Sequence, residues 1–467
     1  MASEFSFTVI SDTHYFSKKN WVDGYKKELK PKNDQLFFSA SEEIVNYTFD
    51  SLCKNDTPQT VLISGDLTYN AERTSAEEMK KALLSLKQNG KKVYVITSTH
   101  DYYTPHMPTF GINKFGEYVE VDSVKREELL DYYGEFGYND ALSVHEKSMS
   151  YVSQLSEGYR LLALNDDYGD PDCGYSDDCF EWVKKQVLKA HNNGQIVIAM
   201  THHPLIPPSP VFTAVAKGDM LNKYELRAGQ FSEMGIDFIF TGHTHMHNIS
   251  STEINGKKFY DISTAALTGF PPFYREIHID GAKRKMDIKT IRVDNVPGID
   301  TGNITLTDYT KNLFLGTVSE ALYNAEHDYE KFKDFAVGIS IPKDTSEKYK
   351  FVFKSAAKFL NRLTFGKVWR FVRRSSGVSK DEMRRLYNKK VVTFAIDIAA
   401  NLYRGDGNTA KSSAEYKITY ALLKKADKLA KPFSAKLKKI GLTSISETVL
   451  PLVCKEGMGD ADAEICF

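Results

Sequence analysis

The chain has 467 residues, 42% of them hydrophobic and 26% charged, and its 61 basic and 61 acidic side chains cancel formally. That composition describes a globular chain of two or three domains and excludes an intrinsically disordered, collagen-like or disulfide-built protein. No apolar run reaches the roughly 18 to 20 residues that a membrane-spanning helix needs.

Phe5 to Ser11 is short, β-branched and aromatic, which predicts a strand; it runs into Asp12-Thr13-His14. Ser41 to Cys53 predicts a helix, and Thr60 to Ser64 a second strand ending at Gly65-Asp66. An amphipathic helix follows over Ser75 to Asn89, stopped by Gly90. Val93 to Thr97 is a third strand, ending in Ser98-Thr99-His100-Asp101. The rhythm continues with a strand over Tyr159 to Asn165, a helix over Asp177 to Asn192, and a strand over Ile196 to Thr201 that enters His202-His203-Pro204. Phe238 to Thr241 enters Gly242-His243-Thr244-His245, and Lys258 to Ser263 and Arg275 to Ile279 read as antiparallel strands. Alternating strands and helices predict an α/β fold, and the polar clusters follow strand C-terminal ends, where open sheets place ligands. Residues 102–150 read as an insertion near the site, and 293–307 as a turn-rich linker. Beyond it the pattern is helical over Tyr309 to Phe335, Glu347 to Arg374, Lys380 to Tyr403 and Ala414 to Leu429.

The strand-end clusters hold six of the twelve histidines. On an extended strand end residues i and i+2 share a direction, so Asp12 with His14 is expected to converge on an ion, and His243 with His245 either does the same or divides between two ions. Each short motif is weak alone; five in sequence, each after a strand, predict a metal centre. Mixed imidazole and carboxylate donors suit Mn, Fe or Zn better than Ca or Mg.

The ordered set D-x-H, G-D, Thr99-His100-Asp101, His202-x-Pro204 and G-H-x-H resembles the calcineurin-like metallophosphoesterases over about residues 5–290. The phrases Ile63-Ser64-Gly65-Asp66-Leu67-Thr68 and Phe136-Gly137-Tyr138-Asn139-Asp140-Ala141 are similar to a branch of bacterial surface-associated, cyclic-nucleotide-phosphodiesterase-like members with a helical C-terminal domain. The resemblance implies an α/β (α+β) fold: a two-sheet β-sandwich flanked by helices over 1–295, followed by an all-helical basic domain over 306–467. It implies two divalent metal ions. Asp12, His14 and His245 would hold the first and His202 and His243 the second, with Asp66 bridging and residue 99 completing the set. A hydroxide bridging the metals would attack phosphorus in a phosphodiester or phosphomonoester, diesters favoured. His100, fixed by Asp101, would steady the transition state or protonate the leaving oxygen.

One position departs from the family pattern: Ser98-Thr99 stands where Gly-Asn is usual. Thr offers a short hydroxyl instead of an amide oxygen, and Ser98 brings a Cβ into a tight turn. The alternative reading is therefore a degenerate, metal-binding family member acting as a scaffold. His203 either touches substrate phosphate or lies at the rim. Asn70 either binds phosphate or caps the following helix. His247 either backs the ligands or is exposed. Tyr102, Tyr103, Phe270, Phe273 and Tyr274 either stack on an organic leaving group or pack in the core.

Charge is divided along the chain. From residue 306 onward there are 29 Lys or Arg against 19 Asp or Glu, a net of +10 that leaves 1–305 at −10. Arg370, Arg373 and Arg374 share a helix face. That face is either solvated or contacts an anionic polymer or membrane surface. The partner expected at the site is a small phosphoester, with no specific nucleic-acid binding. Cys173/Cys179 and Cys454/Cys466 could pair in an oxidising compartment or remain thiols. Met-Ala-Ser-Glu carries no leader pattern. The resemblance points to a cell-surface or extracellular protein whose leader is absent from this chain, the other reading being cytoplasmic.

Overall fold

The computed structural model describes residues 3–24, 35–54, 56–105, 107–167, 173–209, 212, 217–338, 343–405, 409–431, 444–455 and 459–467. They fall into two compact units. One comprises Met1–Ile206, Met220–Leu313 and Gly459–Phe467; the other comprises Pro207–Asp219 and Phe314–Met458.

The first unit is built on two sheets. The strands of one are β1 (Glu4–Ile10), β2 (Thr60–Ser64), β3 (Lys92–Ile96), β13 (Phe273–Asp280), β14 (Lys285–Arg292) and β15 (Ala463–Cys466), ordered β15-β14-β13-β1-β2-β3. Those of the other are β6 (Ser143–His145), β7 (Ser150–Ser156), β8 (Tyr159–Ala163), β9 (Ile196–Met200), β10 (Phe238–Thr241), β11 (Asn248–Ile254) and β12 (Lys257–Ser263), ordered β11-β12-β10-β9-β8-β7-β6. A two-stranded ribbon, β4 (Gly111–Ile112) with β5 (Tyr118–Val119), lies within the 102–150 stretch.

Strand alternation sorts the apolar side chains. Ile10, Val61, Ile63, Val93 and Val95 pack outward on helices Ser41–Leu52 and Arg73–Gln88. Val197, Ala199 and Ile239 do the same on helices Asp177–Asn192 and Tyr224–Glu233. Rings from the two sheets meet between them: Phe7 lies edge-on to Phe240 at 5.4 Å, and Phe5 stacks on Tyr159 at 5.0 Å. The result is a two-sheet sandwich with helices on both outer faces. Strands covered on both sides read as continuous apolar runs, which is why TVLIS and IVIAM were visible in the sequence.

β1, β2 and β3 are parallel, and so are β8, β9, β10 and β12. The antiparallel strands expected at 258–263 and 275–279 form, in different sheets. β12 pairs with β10 and β11 in one sheet, whereas β13 pairs with β1 and β14 in the other.

The tail also departs from expectation. Gly459–Phe467 returns to the first unit, with β15 antiparallel to β14, so the helical region does not extend from 306 to 467. Buried Arg275 explains the return. Its guanidinium donates to Ser263 O (2.9 Å), Asp460 O (3.0 Å) and Ala461 O (3.1 Å), two of which the tail supplies. Asp460 Oδ1 also accepts from Ile249 N at 2.9 Å.

In the second unit the long predicted helices are broken. Leu306–His327 yields to Tyr329–Gly338, and Lys350–Arg362 yields to Phe365–Ser376, where Thr364 caps the new start. Trp369, Phe365, Phe394 and Ile418 share one core, while Tyr329, Phe332 and Ala357 form a smaller one. No helix among the described residues is long and apolar enough to cross a membrane. All five cysteines are free thiols.

Deleting Gly459–Phe467 should strand the Arg275 charge and expose the β14 edge. A loss of about 3–5 kcal/mol in urea unfolding is expected; an unchanged midpoint would contradict this role for the tail.

Candidate metal centre

The loops leaving β1, β2, β3, β8, β9 and β10 supply the site, all from the C-terminal ends of parallel strands. Three groups of donors form, each with its atoms within 4.8 Å of one another: Asp12, His14 and His245; His14, Asp66 and His100; and Asp66, His202 and His243. The first and last of these trios bring together residues expected in the two ligand sets, without Thr99, and Asp66 has a donor in two groups.

The route to convergence is not the expected one. Asp12, His14, Asp66, His243 and His245 all adopt left-handed backbone, with φ of 50°, 37°, 51°, 63° and 57°. The i, i+2 pairs are thus not on extended strand ends; each loop curls sharply to aim both side chains. Non-glycine residues reach this region at a cost, and five such residues in one pocket are a mark of a functional site. The turns are tied down by neighbours. His14 N donates to Asp66 O (3.0 Å), Asp12 N to Gly65 O (3.2 Å), and His243 N to Asp12 Oδ2 (3.1 Å). Two glycines allow the approach. A Cβ on Gly65 (φ 99°) would lie 2.6 Å from His202 Nδ1, and one on Gly242 would overlap the Ser11 hydroxyl and the Asp12 carboxylate.

The donors face each other closely. His202 donates from Nδ1 to Ser64 O at 2.7 Å, which turns Nε2 toward Asp66. That Nε2 is buried, 3.1 Å from Asp66 Oδ2, yet makes no hydrogen bond. His14 and His245 bring their Nε2 atoms to 3.1 Å, with Asp12 Oδ1 3.4 Å from that of His245. Buried His14 Nδ1 has no hydrogen-bond partner either. The nitrogen and oxygen donor set gathered this closely fits divalent transition metals.

Electrostatics agree. Burial by itself would raise Asp12 and Asp66. The hydrogen bonds from His14 and His245 to Asp12, and the charges of His202 and His100 beside Asp66, hold both well below the usual carboxylate range. Burial, then the charges of His203 and His202, keeps His243 well below the usual imidazole value; burial also lowers His14, to about 4. Burial opposes charge on His202, but Asp66 and Asp12 overcome it and raise the ring to about 10.

The other predicted residues take different places. Asp101 does not touch the His100 ring. Fully buried, it accepts from Thr68 N (2.8 Å) and Ser98 N (2.9 Å), and burial, then Asp66, pushes it up to about 8. Instead His100 Nδ1 sits 2.5 Å from Tyr69 O and 2.9 Å from Asn70 Oδ1. Asn70 therefore orients His100, and Glu72 stands at the helix N-cap position. Ser98 is not among the left-handed residues, so its Cβ is accommodated; half-buried Thr99 lies between it and His100. His203 is not at the rim: it is 3% exposed, bonded through Nδ1 to Asp166 Oδ1 at 2.9 Å, with its ring 4.0 Å from that of His243. Buried His247 turns away to Thr290 Oγ1 at 3.0 Å. Phe270, Phe273 and Tyr274 are core residues.

Sequence reasoning missed Asp166. Its Oδ2 accepts from Thr201 Oγ1 (2.7 Å), His202 N (3.0 Å) and His203 N (2.7 Å), so one carboxylate fixes the loop that carries His202. The available signal was an acidic pair at the end of β8. Asp261 was missed too; it accepts from Leu205 N and Ile206 N at 2.6 and 2.9 Å and anchors the same loop further on.

The family model for calcineurin-like phosphoesterases matches residues 5–247, just over half of the chain. The chain belongs to this family. Among solved structures it is similar to a dimetal phosphatase from Danio rerio, at 13% identity over 61% of this chain and 95% of that one, with a TM-score of 0.44. A purple acid phosphatase from yellow lupin seeds (Lupinus luteus) is similar at 12% identity over 62% of this chain and 52% of that one, with a TM-score of 0.40. Comparison with curated protein sequences returns no match. The ligand trios of this family member thus lie at the ends of strands within the matched segment.

Two measurements probe the scaffold. Gly65→Ala should push the His202 ring aside and weaken binding of the second ion at least tenfold by titration calorimetry; unaltered affinity would contradict the close-packing argument. Glu72, buried at the turn beside Asn70, is raised by burial to about 7. The folded state then holds a proton that the unfolded state releases, so stability should fall as pH rises from about 4.5 to about 7. The total is about 3 kcal/mol, and Glu72→Gln should flatten that slope.

Proposed function

We propose that the protein is a dinuclear metal-dependent phosphoesterase with a preference for phosphodiesters. The observation that carries this reading is the pair of donor trios, one of Asp12, His14 and His245 and one of Asp66, His202 and His243, gathered in one pocket. Asp12, His14 and His245 would hold one ion, and His202 and His243 the other, with Asp66 available to both and Thr99 the residue expected to complete the second. Mn, Fe and Zn all suit the donors. Bound there, such ions would lower the pKa of water and neutralise charge on the phosphoryl oxygens.

The chain's own residues do the rest. Tyr69 O can only accept, so the proton on the His100 ring stays at Nδ1, and Nε2 is the atom that exchanges a proton with the leaving oxygen. Asn70 fixes that ring through its side-chain oxygen. Asp166, by gripping the 201–203 backbone and His203, keeps His202 and His243 in register. Asp101 ties the 98–101 loop to Thr68. The preference for diesters is supported by charge. Among the described contacts of the ligands, partners are His, Asp, Ser and backbone, with no Lys or Arg to balance a dianionic monoester.

The test is turnover of bis-p-nitrophenyl phosphate. Activity should appear with Mn, vanish on chelation, and exceed that on p-nitrophenyl phosphate. His100→Asn should lower kcat by about 10²–10³ with little change in KM. Thr99→Asn should raise activity at limiting metal, since an amide oxygen reaches further than a hydroxyl. Protein holding two ions that turns over neither substrate would overturn the proposal.

A further inference from the structure

Helix Lys350–Arg362 spends one face on its own unit. Ala357 is buried there, and Phe353 packs on Phe332 at 5.5 Å. At the helical period, Phe351, Lys354, Lys358, Phe359 and Arg362 fall on the opposite side. Phe351 is 82% exposed and Phe359 61%. Helix Phe365–Ser376 repeats the arrangement. It buries Phe365, Val368, Trp369 and Val372 and presents Lys367, Arg370, Phe371 and Arg374 outward, with Phe371 54% exposed. The side chain of Lys425 lies 3.5 Å over the Phe371 ring. The two faces meet at a cavity of about 360 Å³ that Lys358, Phe359, Arg362, Leu363 and Lys367 line.

From Lys348 to Arg374 there are nine Lys or Arg and no Asp or Glu. Arg362 is partly balanced by Glu326 at 3.2 Å, across the fold from another helix, and Lys350 by Glu347 at 3.6 Å. Exposed phenyl rings interleaved with unopposed cations are a poor surface for water alone, and they are the composition of helices that lie in a lipid headgroup layer.

We propose that this face docks on an anionic lipid bilayer. Phe351, Phe359 and Phe371 enter the acyl boundary, while Lys354, Lys358, Lys367 and Arg370 meet lipid phosphates. Phe351 and Phe359 stand about 12 Å apart along one helix axis. That spacing suits a plane, whereas a nucleic-acid strand would be tracked by a charged groove with stacking platforms.

The experiment is flotation of the full chain with vesicles of phosphatidylcholine alone or with about 30% phosphatidylglycerol, at low and raised salt. Binding is expected only with the anionic lipid, and it should weaken as salt rises. Lys354→Glu with Lys358→Glu should lower the partition coefficient at least tenfold, and Phe351→Ser with Phe359→Ser should do so as well. These positions are exposed, and thermal unfolding would verify that the variants fold. The proposal is overturned if the protein does not float, if it binds neutral vesicles equally, or if the phenyl variant binds as the parent does. Stronger binding to single-stranded nucleic acid that the phenyl pair does not influence would also overturn it.

Discussion

Two ionised carboxylates and four imidazoles share one pocket, each carboxylate held ionised by the histidines beside it. The scaffold is visibly arranged to hold them together. Five of the six donors accept left-handed backbone, two glycines clear space for the approach, and buried carboxylates at 101, 166 and 261 clamp the carrying loops from behind. The parallel strands of both sheets bring those loops to one end. Ordering of the ligands is therefore largely achieved in the fold, and an ion entering the pocket spends little of its affinity on rearranging the chain.

How much of this could be read from the sequence depends on which contacts are local. The strands that bear ligands were legible because burial on both faces makes them continuous apolar runs. The ligands were legible because they follow those runs directly. Their backbone was not, since left-handed φ at Asp12 or His243 is imposed by contacts with Gly65 and Asp12 across the pocket. Asp166 and Asn70 were misread for the same reason. Each acts on a loop far away in sequence, and neither spacing nor periodicity records such a partner. The C-terminal strand was hidden because its pairing is dictated by Arg275, nearly two hundred residues earlier.

The second unit obeys different rules. The break at Thr364 lets successive segments turn their apolar stripes onto separate small cores, whereas Ala325 and Tyr329, on either side of Asp328, share one. Its aromatic residues divide between those cores and the outside, where Phe351 and Phe359 remain bare. The catalytic reading needs none of these rings.

The account rests on a two-ion centre divided about Asp66. Anomalous diffraction from crystals grown with manganese addresses it directly. Two peaks are predicted, one bounded by Asp12, His14 and His245, the other by His202 and His243, with Asp66 reaching both. A single peak, or none at saturating manganese, would contradict it.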